Sequence, residues 1–203
     1  MRCTLRNFIT RVTAILYSQT LLKLLGDFMS VGVLVFHPQL EHSTVDRALS
    51  RAIYDMPQVD VRDVYKLYPD FQIDVQAEQE FLTVHDHIIF QFPMYWYSMP
   101  PLMRAWEDEV FTHGWAYGST GHALQGKTYC AAVSIGVRQE KYSETGEYHV
   151  TAQTLLKPLE TLQYNTGMVW EEPFIVFGGS SLTPEQLQTK QVAYRELIQQ
   201  YQQ

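Results

Sequence analysis

The sequence predicts an α/β protein in which helices cover both faces of a parallel β-sheet. From Val31 onward, five short runs typical of strands alternate with helical patterns, and this alternation is typical of parallel sheets. The chain has no internal repeat and no low-complexity segment. Unusual loop residues follow the first, third and fourth strands, which indicates a site at one end of the sheet.

The first half of the fold is predicted by hydrophobic periodicity. Residues 31–36 form a continuous apolar run, as expected for a strand buried on both faces. Val45–Ile53 carries apolar residues at helical spacing. Residues 59–64 alternate with period two and predict a second strand, and Val75–Val84 is a candidate short helix.

Prolines and glycines delimit the later elements. Residues 87–92 predict a third strand that ends at Pro93, and Pro100 and Pro101 then begin a helix, where a missing N–H has no cost. Residues 128–135 predict a fourth strand. The helix that follows contains Pro158, which leaves its boundaries open.

The C-terminal part predicts one more strand and helix. Residues 174–177 form a fifth strand that ends at Gly178 and Gly179. The last helix begins with Thr183 as N-cap, Pro184 in the first turn and Gln186 completing a capping box.

The placement of the unusual loops selects between the two common strand orders. In the flavodoxin-like order 2-1-3-4-5, the first, third and fourth strands are neighbours, and a ligand lies beyond their carboxyl ends. We therefore predict a three-layer sandwich around a five-stranded parallel sheet in this order.

Composition limits the possible functions. Hydrophobic residues make up 46% and charged residues 18% of 203 residues, which is typical of one globular domain. A net charge of −7 argues against nucleic-acid binding. The two cysteines, Cys3 and Cys130, predict no disulfide framework, and a reducing cytoplasmic compartment is expected.

Residues 1–28 differ from the rest. They carry a net charge of +3, which leaves −10 for residues 29–203. A signal peptide, an amphipathic surface helix and an extension outside the fold are the three interpretations. We favour the extension, with a domain that spans residues 29–203, because Met29 stands directly before the first strand.

Each candidate loop also has a simpler structural interpretation. Ser43 and Thr44 lie where a helix start would bind phosphate, although Ser43 could serve as an N-cap alone. Residues 95–97 are three consecutive aromatics, which suit a planar ligand or core packing, although all three cannot point into one core. Gly136 allows close approach of a ligand to the backbone in a loop that could equally be solvated surface. The seven histidines show no metal-ligand spacing, and His85 and His87 are interpreted as surface or second-layer residues.

Four segments together resemble one family. Residues 67–74, 92–101, 110–118 and 123–127 are similar to the NAD(P)H:quinone oxidoreductases. The similarity is strongest to bacterial ancillary proteins of glutathione-regulated potassium efflux. The resemblance covers about residues 31–178 and implies a flavodoxin-like fold, a homodimer and a non-covalent FMN, or FAD, with NAD(P)H as co-substrate.

The resemblance also assigns site residues. It places the flavin phosphate at His37, Ser43, Thr44, Val45 and Asp46. The ring-binding residues are drawn from the second and third loops: Pro93, Met94, Tyr95, Trp96, Tyr97, Ser134, Ile135, Gly136 and Val137. Ile135 and Val137 depart from the family's usual T-T-G-G. Tyr142 matches a family tyrosine that stabilises the reduced ring. Backbone N–H groups near Trp96 and Gly136 would also stabilise negative charge on that ring. Tyr148, beside His149, stands at the position of the family's histidine.

The implied function is two-electron hydride transfer from NAD(P)H through a flavin to a quinone. An alternative is a regulatory ancillary subunit of a potassium/proton antiporter, peripheral to the inner face of the cell membrane, with weak or vestigial reductase activity. A flavodoxin-like electron carrier ranks last, because the hydroxyl-rich phosphate loop of flavodoxins is missing.

Overall fold

A computed structural model describes residues 29–203 of the chain. The predicted extension at residues 1–28 lies outside the described residues, so its relation to the fold stays a prediction. No helix within the described part combines the length and the apolar character that crossing a bilayer requires.

Strands and helices alternate along residues 31–201. The strands are β1 Val31–Val35, β2 Val59–Asp63, β3 His87–Pro93, β4 Thr128–Ser134, β5 Val169–Trp170 and β6 Phe174–Val176. The helices are α1 Val45–Ile53, α2 Val64–Leu67, α3 Val75–Val84, α4 Pro101–Val110, α5 Ala152–Leu155, α6 Lys157–Thr161, α7 Gln163–Thr166 and α8 Pro184–Tyr201.

All strand pairs are parallel, and their order is β2-β1-β3-β4-β5, with β6 also paired to β4. The flavodoxin-like order is therefore confirmed. The single fifth strand predicted at residues 174–177 needs correction, because two short segments share that position. Residues 171–173 separate these segments; they are Glu-Glu-Pro, a run that is poorly suited to continuous strand pairing.

The sheet separates two hydrophobic cores. Leu34, Phe90 and other residues of one face pack with Trp106 of α4. Val33 and Ile89, which point to the opposite face, pack with α1 and with Tyr194 of α8. Strands β1, β3 and β4 are buried along almost their whole length, as the continuous apolar runs predict.

Two local predictions need correction. The apolar segment around Pro158 is not one helix but three short ones, and Pro158 lies in the first turn of α6. His85 is buried and not a surface residue. Its Nε2 lies 2.9 Å from Asp60 Oδ2, and its Nδ1 lies 2.7 Å from the Phe81 carbonyl oxygen.

The predicted start of the last helix is confirmed. The Thr183 side chain accepts from the Gln186 backbone N–H, and the Gln186 side chain accepts in turn from the Thr183 N–H. Cys130 is buried and forms no disulfide within the described part of the chain. Within residues 29–203, no cluster of three or more His, Cys, Asp or Glu side chains could hold a metal ion.

Candidate active site

The three predicted loops leave the same edge of the sheet. Strands β1, β3 and β4 are neighbours, and their carboxyl ends lie side by side. Two backbone hydrogen bonds join them: Phe36 N–H donates to Gln91 O at 2.8 Å, and Met94 N–H donates to Ser134 O at 2.8 Å. The loops therefore start from a fixed platform.

The first loop ends as a capped helix start. Ser43 has an extended backbone, and its Oγ accepts from the Asp46 N–H at 3.0 Å. The simpler interpretation of Ser43 as an N-cap is thus correct. It does not exclude a ligand, because the first N–H groups of a helix have no intrahelical partner. Thr44 is exposed at this position, whereas the Val45 side chain packs into the core.

Asp46 is the most unusual residue of the first loop. Its side chain is only 1% exposed, and Oδ2 accepts from Ser134 Oγ at 2.6 Å and from Ser43 Oγ at 3.2 Å. Oδ1 has no hydrogen-bond partner in the described part of the chain. Burial raises the pKa of the Asp46 carboxyl, although the Ser134 hydrogen bond and nearby His37 oppose the rise.

His37 lies beside this carboxyl. The Gln39 N–H donates to its Nδ1 at 3.0 Å, so neutral His37 carries its proton on Nε2. Nε2 lies 3.9 Å from Asp46 Oδ2. Burial lowers the pKa of His37, against the opposing effect of Asp46.

The second loop forms a tight turn of aromatic residues. Tyr95 and Ser98 exchange two backbone hydrogen bonds, at 2.9 and 3.0 Å. The central residues, Trp96 and Tyr97, have φ values of 49° and 65°. Bulky residues rarely adopt this left-handed conformation, which costs about 1–3 kcal/mol each.

The aromatic side chains of this turn lie outside the core. Trp96 is 92% exposed, while Tyr95 and Tyr97 are 40% and 44% exposed. The prediction that three consecutive aromatics cannot all be buried is therefore correct. Pro93 is buried at the strand end, and Met94 packs partly against the core.

The third loop is held by residues 176–179, which the sequence did not indicate as part of the site. Ile135 N–H donates to Val176 O at 2.8 Å, and Gly179 N–H donates to Ile135 O at 2.9 Å. Gly178 N–H donates to Val137 O at 2.9 Å. The Gly-Gly pair after the last strand was the available signal, but it indicated only a chain turn.

The two departures in this loop are structurally accommodated. Ile135 is buried in the core and Val137 packs against it. Neither has a positive φ, so their β-branched side chains cause no backbone strain. Gly136 remains exposed between them.

A cluster of tyrosines borders the second and third loops. The Tyr142 ring lies 5.0 Å from the Tyr148 ring and 6.5 Å from the Tyr97 ring. Burial raises the pKa of Tyr142, and Tyr148 and Tyr97 add to the rise. His149 is exposed, so Tyr148 belongs to the tyrosine cluster and His149 does not.

A groove lined in part by Leu40 and Glu41 of the first loop lies beside this site. It has a volume of about 840 Å³ and lies along the β2 edge, with Arg51 and Lys66 among its lining residues. We locate the candidate site at the loops because the buried polar group and the exposed aromatic turn lie there.

A family model described as a flavodoxin-like fold matches residues 29–199. The chain belongs to the flavodoxin-like family. General stress protein 14 of Bacillus subtilis (strain 168) is 41% identical over 172 residues, which make up 85% of this chain and 98% of that protein. The glutathione-regulated potassium-efflux system ancillary protein KefF of Enterobacter sp. (strain 638) is 37% identical over 166 residues, with coverage of 82% and 93%. The predicted family is confirmed, but general stress protein 14 is more similar to this flavodoxin-like chain than that ancillary protein is.

Two solved structures are similar in both sequence and fold. General stress protein 14 (TDE0354) from Treponema denticola, in complex with FMN, has a TM-score of 0.81 and 33% identity, covering 85% of this chain and 99% of that one. An NADPH-quinone reductase from P. pentosaceus has a TM-score of 0.75 and 29% identity, covering 84% and 98%.

Proposed function

We propose that this flavodoxin-like chain is an NAD(P)H:quinone oxidoreductase in which a bound flavin carries two electrons, as hydride, from NAD(P)H to a quinone. The observation that carries the proposal is the convergence of three loops at neighbouring strand ends. They bring a helix start, an exposed aromatic turn and an exposed glycine to one edge of the sheet. This is where flavodoxin-like sheets bind their ligands.

The residues present are compatible with FMN. The phosphate would bind at the helix start formed by Ser43, Thr44, Val45 and Asp46, with His37 beside it. Asp46 Oδ1 is a buried polar atom without a hydrogen-bond partner among residues 29–203, and unsatisfied buried polar atoms are typical of functional sites. FAD would use the same phosphate contacts and stays an alternative within the proposal.

The ring would bind at the other two loops. The residues in reach are those at the ends of β3 and β4: Pro93, Met94, Tyr95, Trp96, Tyr97, Ser134, Ile135, Gly136 and Val137. The strained turn exposes its aromatic side chains, and Gly136 lets the backbone approach the ring. Both features suit a planar, electron-accepting ligand.

Two groups would stabilise negative charge on the ring. The raised pKa of Tyr142 keeps its hydroxyl protonated at neutral pH, as a hydrogen-bond donor must be. The Gly136 N–H is a second donor. Fixed donors of this kind are effective in catalysis because they need no reorganisation as charge develops.

The related structures support the cofactor and substrate class. The T. denticola protein binds FMN, and the P. pentosaceus protein is described as an NADPH-quinone reductase. The similarity in fold and the high coverage make the same chemistry the simplest proposal for this chain.

An absorption spectrum of the purified full-length chain, followed by NADPH and then quinone, tests the proposal. We expect a flavin spectrum that bleaches with NADPH and recovers with quinone. A protein that takes up neither FMN nor FAD would contradict it. A flavin that NADPH and NADH both fail to reduce would contradict the assigned reaction.

The second candidate function is regulatory. The 37% identity to a potassium-efflux ancillary protein favours an ancillary subunit that docks on the cytoplasmic side of a potassium/proton antiporter, with weak reductase activity. Affinity purification from membranes at modest salt tests it, and failure to recover an antiporter would count against it. The proposed homodimer is tested separately by sedimentation equilibrium.

A further inference from the structure

The co-substrate of the proposed reaction is an anion, and the chain itself is acidic. The diphosphate of NAD(P)H is charged, and the 2′-phosphate of NADPH adds about two further negative charges at neutral pH. The chain carries a net charge of −7. A co-substrate of this kind needs a cation close to the ring site, because the overall field of the protein repels it.

Lysine and arginine occur in the third of the three loops and not in the other two. Residues 37–46 and 93–101 contain neither, whereas residues 134–142 contain Arg138 and Lys141. Lys141 is already paired, since its Nζ lies 2.6 Å from Glu147 Oε2. Arg138 is exposed and forms no ion pair or side-chain hydrogen bond within residues 29–203.

The cations that flank the other two loops are engaged or lie elsewhere. Arg104, after the second loop, lies within 3.0 Å of two carboxylates on its own helix. Arg47 and Arg51 of α1 both contact Glu41. These two arginines and Lys66 line the groove at the β2 edge, and β1 separates that edge from the ring-binding strands β3 and β4. In the described part of the chain, Arg138 is therefore the cation best placed for a ligand over the ring site.

Arg138 lines a cleft beside Gly136. The cleft has a volume of about 320 Å³, and Phe177 and Ser181 are among its other lining residues. Gly136 contacts the same segment, because a Cβ on it would lie 3.0 Å from Ser180 Oγ. The volume is at the lower end of the range for ligand pockets, which suits part of a nucleotide and not a whole one.

On the basis of the proposed function, we propose that this cleft binds a phosphate group of the NAD(P)H co-substrate and that Arg138 recognises it. A guanidinium group binds phosphate through two parallel N–H···O bonds, which fixes the orientation of the ligand as well as its charge. A phosphate bound here keeps the nicotinamide end of the same molecule close to the ring site, which favours reaction through proximity. Arg138 acts in binding and takes no part in hydride transfer.

Glu140 allows the charge argument to be tested from the opposite side. Its side chain lines the same cleft, and it forms no ion pair within the described residues. A carboxylate next to a bound phosphate weakens binding, so Glu140 should oppose Arg138. Removing the two charges one at a time should therefore change affinity in opposite directions.

The test is stopped-flow reduction of the flavin in the FMN-loaded, full-length protein by NADPH, by NADH and by dihydronicotinamide riboside, a hydride donor without phosphate. Arg138→Gln should lower the second-order rate constant for NADPH by about tenfold or more, as expected for the loss of a charge-assisted hydrogen bond. The phosphate-free donor should be unaffected. An equal loss with NADH assigns the diphosphate to the cleft, and a loss confined to NADPH assigns the 2′-phosphate. Calorimetric binding of NADP⁺ and NAD⁺ should weaken in the same pattern.

Further variants separate charge from structure, and flavin occupancy is measured first in each. Arg138→Lys should recover part of the loss, because it restores the charge without the planar fork. Glu140→Gln should raise the rate constant for NADPH several-fold. Lys141→Gln is the matched control, since it removes a cation of the same loop that Glu147 already holds, and it should behave like wild type.

Three results would overturn the inference: wild-type rate constants in Arg138→Gln, a loss that extends equally to dihydronicotinamide riboside, or an equal loss in Lys141→Gln. Failure of the proposed function gives a different result, because then none of the three donors reduces the flavin of the wild-type protein.

Discussion

The Trp106 indole N–H donates a hydrogen bond to Glu78 Oε2 at 2.9 Å, which links helices α4 and α3 inside the core. The wholly buried Glu78 also accepts from Tyr68 Oη at 2.7 Å and from Arg62 Nη1 at 2.6 Å. One carboxylate therefore satisfies three donors from different segments of the chain. Burial and the hydrogen bond to Glu78 both raise the pKa of Tyr68, so its hydroxyl stays protonated and acts as the donor.

Glu78→Ala should lower the free energy of unfolding by about 3–5 kcal/mol, because it leaves Arg62 and two further donors without their partner. Urea unfolding followed by tryptophan fluorescence measures the change. Glu80→Ala is the control, since Glu80 is exposed on the same helix. It should cost less than about 0.5 kcal/mol. Equal losses in both variants would contradict the role of Glu78.

The aromatic turn should be more stable with residues that tolerate positive φ. Replacing Trp96 and Tyr97 together with Asn and Gly should raise the free energy of unfolding by about 1–2 kcal/mol, because Asn-Gly is the preferred pair in such turns. The same variant should bind flavin more weakly. Tyr164→Asn, at another exposed aromatic, should lack both effects. A double variant less stable than wild type would show that the aromatics stabilise the turn.

Glu107 should make stability depend on pH. Its side chain is 4% exposed, and burial raises its pKa from 4.5 to about 7, against the effect of Arg104. The folded state therefore binds a proton more tightly than the unfolded state, and stability falls as pH rises from about 4.5 to about 7.

Glu107→Gln should remove this fall, so that the variant gains stability relative to wild type above pH 7. Thermal unfolding at several pH values measures it. Glu109→Gln, exposed on the same helix, should keep the wild-type profile. A Glu107→Gln profile parallel to that of wild type would contradict the prediction.

Gly136 should control flavin occupancy. A Cβ at this position would lie 3.0 Å from Ser180 Oγ, a tight contact that requires Ser180 to shift, and a larger side chain would also enter the proposed ring site. Gly136→Ala should retain part of the flavin, and Gly136→Val should lose most of it. Adding Ser180→Ala relieves the contact within the protein and should not restore binding. Full occupancy in Gly136→Val would rule out this position for the ring.

Tyr142 should act on the reaction more than on binding. Tyr142→Phe removes the hydroxyl but keeps the ring that packs between Tyr97 and Tyr148. We expect unchanged FMN occupancy and reduction by NADPH that is slower by about tenfold, the effect of losing one hydrogen bond in the transition state. Stopped-flow absorbance measures the rate, with Tyr164→Phe as control. An unchanged rate would remove Tyr142 from the mechanism.

Much of the fold could be predicted because its signals are local. The apolar runs of β1, β3 and β4 and the capping box at Thr183 each depend on residues that are close in sequence. The broken fifth strand was harder to predict, since β5 has only two residues and gains its identity from pairing with β4. The burial of His85 depends on Gly32, where any Cβ would lie 2.8 Å from the imidazole ring. That fit is visible only once β1 and β3 are paired.

The same limit applies to the candidate site. The predicted strand order placed the three loops at the same edge of the sheet. The run of three consecutive aromatics indicated that not all of them could be buried. The contact between Ser134 and Asp46 could not be predicted, because the two residues are 88 positions apart. The structure alone reveals that their hydroxyl and carboxyl groups share one buried network.

The division of the last strand position into β5 and β6 affects how the protein can assemble. The outer edge of the sheet there offers only two- and three-residue segments, interrupted by Glu171, Glu172 and Pro173. Short, charged and proline-containing edges resist pairing with strands of other molecules. Continuation of the sheet from chain to chain is therefore disfavoured at this edge. Self-association of copies at this edge would have to use helices and loops, which protects the protein there against fibrous aggregation.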